Sequence, residues 1–216
     1  MNFGESLAYW YFRLNGFFVL PNFVLHHPNP LRKETADVDL LAVRFPHVFE
    51  KIGGQLSDWD NARFAQWGVD HDRQIVCVLC EVKTGYYAKE AVRRSFDPDR
   101  MEYAVRRIGV LPKGAAAHVC EQLARESVVH RGNHSFVKVL MARANRQRSN
   151  LSQGRLATAS YCTIDLEEAI GFIRQRMERY RPEKMRGRMF FPSELIQYLA
   201  WEAGVQIDDE ILEEDR

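Results

Sequence analysis

Ile75-Val76-Cys77-Val78-Leu79-Cys80-Glu81-Val82-Lys83 is the stretch on which the fold turns. Its first six residues are apolar without alternation, so the strand predicted over 74–83 is covered on both faces, as the inner strands of an α/β sheet are. A second run of the same kind, Asp39-Leu40-Leu41-Ala42-Val43, lies in a strand predicted over 37–45. Each run carries charge at one end: Glu81 and Lys83 in the first case, Asp39 in the second. Charge at the end of an inner strand is costly unless it is paired or holds a cation. The two-residue period puts Glu81 and Lys83 on one face, about 6.6–7 Å apart, and neighbouring strands would bring Asp39 to about 4.8 Å from Glu81. Carboxylates that close repel unless a cation lies between them, and Mg²⁺, with oxygen ligands at about 2.0–2.1 Å, fits that place. Asp37 shares a face with Asp39 under strict alternation and is the alternative ligand.

The flanking segments complete an α/β order. Leu7, Trp10, Tyr11 and Leu14 repeat at the helical period over 5–15, and Gly16 stops that helix. Phe17–Leu20 and Phe23–His26 flank Pro21-Asn22, which suits an edge strand with a break. Residues 46–73, with Gly53-Gly54, Trp59, Phe64 and Trp67, read as an insertion between two strands that carries its own small core and a short helix. Asp97-Pro98 is a helix start, with Asp97 at the cap and Pro98 in the first turn, and Gly109 ends the helix. Ala116, Val119, Cys120 and Leu123 form the inner stripe of a helix over 115–127. Strands follow at 136–142 and 157–164. Asp165-Leu166-Glu167-Glu168 opens a capped helix with Ala169, Ile170, Ile173 and Met177 inward, and Leu195, Ile196 and Leu199 mark a last helix at 193–203. Helices and strands in this order predict an α/β fold around one central mixed sheet flanked by helices.

Asp39 at one strand start, followed by Glu81-Val82-Lys83 on the next strand, resembles the motif of the PD-(D/E)XK nuclease superfamily. The resemblance spans about residues 4–181, with 46–73 as an insertion. Val38 stands where the motif's name has proline, a departure common in that superfamily. Glu5, in Gly4-Glu5-Ser6-Leu7-Ala8-Tyr9-Trp10 before Asn15-Gly16-Phe17-Phe18, is similar to the first-helix glutamate of Holliday-junction-resolvase-like members. The resemblance implies a restriction-endonuclease-like core over 1–190, with a helix and acidic tail at 191–216. It implies metal-dependent DNA endonuclease activity, with Asp39, Glu81 and the carbonyl of Val82 holding Mg²⁺ or Mn²⁺. Lys83 would act beside the metal-bound water, Glu5 would reach the metal through water, and a homodimer is a family expectation for double-strand cutting. The competing reading from another class is a nucleic-acid-binding or scaffolding module that keeps the fold without turnover.

Other motifs read more plainly. Cys77 and Cys80 have zinc-ligand spacing, with His130 and His134 to complete a set, but a strand places the two thiols on opposite faces, so buried thiols are expected. Trp59 and Trp67 are expected in the insertion's core rather than stacked on bases. Arg93 and Arg94 suit either a polar loop or phosphate contacts. Arg143, Arg146, Arg148 and Arg155 form an acid-free stretch between the last two strands, suited to phosphate contacts with DNA. The 216 residues carry a net charge of +1, a sum that taken alone argues against a polyanion binder, yet residues 138–188 carry +7 and residues 201–216 carry −6. The sum conceals a basic segment and an acidic one. No apolar run reaches membrane-spanning length, no basic leader precedes the first helix, and the reduced-thiol reading suits a cytoplasmic protein.

Overall fold

The computed structural model describes residues 1–25, 36–85, 87, 89–143, 160–180 and 193–202. Helix α1 (Phe3–Leu14) leads into β1 (Phe18–Leu25) and β2 (Ala36–Arg44). A 3-10 turn (Leu56–Asp58) and α2 (Asn61–Gln66) precede β3 (Ile75–Lys83). Then come α3 (Lys89–Ser95), α4 (Pro98–Ile108), α5 (Lys113–Leu123), β4 (Val128–Arg131) and β5 (His134–Ala142). The order closes with β6 (Cys162–Asp165), α6 (Leu166–Arg179) and α7 (Glu194–Glu202).

The six strands form one mixed sheet. β1, β2 and β3 are successively antiparallel, and β3 runs parallel to β5. β5 shares its far edge between two short strands: β4 pairs antiparallel with its first half and β6 parallel with its second. One face of the sheet packs on α1, α6 and α7 through Leu7, Leu40, Val78, Val139, Ile173 and Leu199. The other packs on α3, α4 and α5 through Leu41, Leu79, Val92, Val105, Val119 and Leu140. The fold is therefore α/β with helices on both faces. Buried positions alternate between the two cores along β3, which accounts for its unbroken apolar run.

The local signals act as expected at several termini. Asp97 caps α4 with Pro98 in its first turn, and Gly109 ends it in the left-handed conformation at φ 79°. Asp165 and Glu168 form a capping box on α6. β1 is the edge strand, and its break is real: Asn22 takes φ 51° beside Pro21.

Three expectations need correction. Trp59, Phe64, Trp67 and Val69 do not form a separate small core; they join the main core beside α1 and α6. Two buried arginines hold the segment there. Arg44 donates to the carbonyls of Asn15 and His71, and Arg176 to those of Gly53 and Asp58. Both guanidinium groups pack on the Trp59 ring, at 5.1 and 5.8 Å. Second, α5 ends at Leu123, and Val128–Arg131 is a strand joined to β5 through Gly132 at φ 59°. Third, α3 stands directly after the site strand, where the sequence reading places no helix. The predicted strand at 157–164 is seen as β6 at Cys162–Asp165; residues 151–159 lie outside the described residues.

Candidate active site

The site lies where two strands part. β3 stays paired with β5 as far as Lys83 and Ala142, and β2 stays with β1 as far as Ala36 and Leu25. Between β2 and β3 the ladder ends at Leu40 and Cys80. Asp39 is the next residue into the gap. It is also passed over on its other side, where the β1–β2 ladder skips the pair Asn22 and Asp39. Side-chain alternation resets here: Val38 and Leu41, an odd number of residues apart, pack into the same core. Asp39 thus sits at a local irregularity of the strand, free of both ladders.

Its carboxylate takes over one lost ladder bond. Asp39 Oδ2 accepts from the backbone N–H of Val82 at 2.7 Å. Extending the register by one step sets Asp39 across from Glu81. Glu81 is buried, only 5% exposed, and its Oε1 accepts from Lys83 Nζ in an ion pair. The Lys83 side chain is 29% exposed and opens the pair toward solvent. Burial, followed by the charge of Glu81, pushes the Asp39 carboxyl up to about 6. The Val82 N–H and Lys83 oppose that rise, and Glu5 adds to it. Three acidic side chains and one lysine leave the site short of positive charge.

Glu5 stands on the first turn of α1, in a capping box with Asn2. Both its carboxylate oxygens accept from Asn2, one from the backbone N–H at 3.0 Å and one from the side-chain amide. Its charge reaches Asp39, but its side chain is engaged in the cap. The structure brings Asp39, Glu81, Val82 and Lys83 together and sets Glu5 at their margin.

Among the described residues, no three His, Cys, Asp or Glu side chains group as a metal cage. The chain offers two carboxylates and a backbone carbonyl. An all-oxygen set of that size fits a hard divalent cation that keeps water or substrate oxygens in its remaining positions. Two carboxylates facing across a strand gap, one of them with its ionisation opposed by the other, are what such a cation relieves.

The other candidates fall outside this cluster. Cys77 and Cys80 are buried on opposite faces of the sheet, and burial pushes the Cys77 thiol up to about 12. His130 Nδ1 is hydrogen-bonded with Ser135 Oγ at 2.9 Å, and His134 Nδ1 lies 3.3 Å from the Arg131 carbonyl. Arg143 follows Ala142, the register partner of Lys83, so it emerges at the site's end of the sheet; it lies 3.8 Å from Glu167. Arg146, Arg148 and Arg155 lie outside the described residues, as does the side chain of Asp37. Reading the sequence missed the part played by Gly4, which seats α1 against Val82 and Thr84. The only trace of it is a glycine inside a helical pattern, next to Glu5. No helix among the described residues is long and apolar enough to cross a membrane. No protein-family profile, curated protein or solved structure matches the chain.

Proposed function

We propose that this chain is a Mg²⁺- or Mn²⁺-dependent nuclease with a PD-(D/E)XK site on a restriction-endonuclease-like core, acting on DNA as an endonuclease. One observation carries the reading: Asp39, Glu81 and Lys83 converge at the parting of β2 and β3, with Asp39 bonded to the backbone of the Glu-x-Lys segment itself. The location agrees with it, since ligands of open α/β sheets bind beyond the carboxyl ends of parallel strands, and β3 and β5 both end here.

Asp39, Glu81 and the Val82 carbonyl would hold the cation. When bound, it supplies polarisation of a phosphoryl oxygen and lowers the pKa of a water molecule. The Val82 N–H fixes the Asp39 carboxylate, so the ligand is preorganised by the strand behind it. Lys83, held at Glu81 on the solvent side, presents a positive charge where an attacking water is oriented or where charge develops on the phosphate. Arg143 adds a phosphate contact at the same end of the sheet.

The test is cleavage of plasmid and branched DNA with Mg²⁺, Mn²⁺ or EDTA. Wild type is expected to nick with either metal and not in EDTA. Asp39→Ala and Lys83→Ala are each expected to lower turnover by about 100-fold or more while DNA binding persists. Tight DNA binding with no cleavage would identify an inactive binding module instead. Absence of both binding and cleavage would overturn the proposal.

A further inference from the structure

Gly4 is the second residue of α1, buried, and its backbone has ordinary helical geometry. Glycine is a poor helix former, so a reason other than conformational freedom must be sought for it there. The surroundings supply one. A methyl group at this position would lie 2.3 Å from Thr84 Cγ2, 2.9 Å from Val82 Cγ1 and 3.5 Å from Asn2 Oδ1. The closest of these is about 1 Å short of ordinary carbon contact. Thr84 is exposed and can turn away, but Val82 is buried and its branched side chain is stiff, so the helix would have to give.

We propose that Gly4 is a positioning residue of the site: its bare Cα seats the first turn of α1 on Val82 and Thr84 and so sets how far Glu5 stands from Asp39 and Glu81. The inference rests on the nuclease reading. Val82 and Thr84 flank Lys83, so the helix docks on the segment that carries the site. Glu5 follows Gly4 directly, and its carboxylate is tied to Asn2 at the start of the same turn. It therefore moves with the turn and not as a free side chain, and a shift of the helix becomes a shift of the Glu5 charge.

The test uses the full chain and compares wild type with Gly4→Ala, Thr84→Ser, Glu5→Gln, Gly4→Ala/Thr84→Ser and Gly4→Ala/Glu5→Gln. Thr84→Ser removes the methyl that the side chain added by Gly4→Ala would strike, and Glu5→Gln keeps the helix cap. Mn²⁺ affinity is read by titration calorimetry, folding by circular dichroism and uncut DNA binding in EDTA. Gly4→Ala is expected to weaken Mn²⁺ binding about tenfold, the scale of lost outer-sphere support, with DNA binding in EDTA unchanged. Thr84→Ser alone is expected to match wild type, and Gly4→Ala/Thr84→Ser to remain weaker than Thr84→Ser, because Val82 still blocks the added methyl. Gly4→Ala/Glu5→Gln is expected to be no weaker than Glu5→Gln, because both changes act through one carboxylate. Should Gly4→Ala alone not fold, the pair Thr84→Ser and Gly4→Ala/Thr84→Ser gives the same comparison. A melting temperature lowered with Mn²⁺ affinity intact, or losses that add, would overturn the role of Gly4. Wild type that binds no Mn²⁺ would overturn the nuclease reading itself, and this inference with it.

Discussion

Asp39 shows how a strand residue becomes a candidate site residue. It lies in neither ladder, its carboxylate replaces a backbone partner of Val82, and Glu81 opposes its ionisation. Lys138 shows that charge in an apolar strand is not enough. It is 1% exposed in the middle of β5, aligned with Leu79, and its ammonium packs 5.7 Å over the Phe96 ring. Burial lowers its amine to about 8, yet no carboxylate of the site is among the causes. The Asp39 shift has a measurable consequence. Its folded value, about 6, lies above that of an unfolded aspartate, about 3.9. Between those values the native chain keeps a proton that the unfolded chain has released. Metal-free stability from this group is therefore full below about pH 4 and is lost as pH rises through 6. Asp39→Asn keeps an acceptor for Val82 and is expected to remove that loss, stabilising the metal-free chain by about 1–2 kcal/mol above pH 7 after allowing for partial exposure. Urea unfolding in EDTA at pH 4.5 and 7.5 measures the difference between the two proteins; equal pH dependence would refute the assignment.

At the scale of elements, the segment 46–73 is built into the fold by charge buried among carbonyls. Arg176 is 3% exposed, donates to Gly53 and Asp58, and packs on Trp59 and Phe172. Tyr180 and Arg179 hold the Asp58 carboxylate from the same helix end. Arg176→Met keeps much of the packing and orphans two carbonyls. It is expected to cost about 2–4 kcal/mol, read by urea unfolding, and to expose 46–58 to limited proteolysis before global unfolding. Stability unchanged within error would show the contacts to be incidental. None of this was legible in the sequence, where Trp59 reads as the core of a separate insertion. What was legible is local: the Asp97-Pro98 and Asp165-x-x-Glu168 caps, the Gly109 stop, the apolar run of β3 and the break at Pro21-Asn22 each act within a few residues. The Asp39, Glu81 and Lys83 cluster was legible for a related reason, since two adjacent antiparallel strands convert spacing into proximity. The parting of β2 from β3 and the docking of Gly4 were not, because both depend on where distant backbone runs.

For the whole molecule, the distribution of charge matters more than its sum. Residues 138–188 carry +7 and residues 201–216 carry −6. Of that segment, Arg143 stands at the site's end of β5, and Arg146, Arg148 and Arg155 follow it in the sequence. An acidic run on the same chain, Asp208-Asp209-Glu210 with Glu213-Glu214-Asp215, is a ready competitor for any phosphate surface those arginines make. The effect is electrostatic and so must fade with salt, the Debye length being about 10 Å at 0.1 M and shorter above it. If four arginines each neutralise one phosphate, log affinity should fall against log salt with a slope of about −3 to −4. Deleting residues 207–216 is then expected to tighten binding of uncut DNA several-fold at 50 mM salt in EDTA and to change little at 300 mM. None of Asp39, Glu81, Val82 and Lys83 lies in the deleted segment, so turnover at saturating DNA is expected to be unchanged. Fluorescence anisotropy across a salt series measures both slopes. Equal affinity of the two proteins at 50 mM would show that the acidic run does not compete for the DNA surface, and a flat salt slope would show that the arginines do not form one.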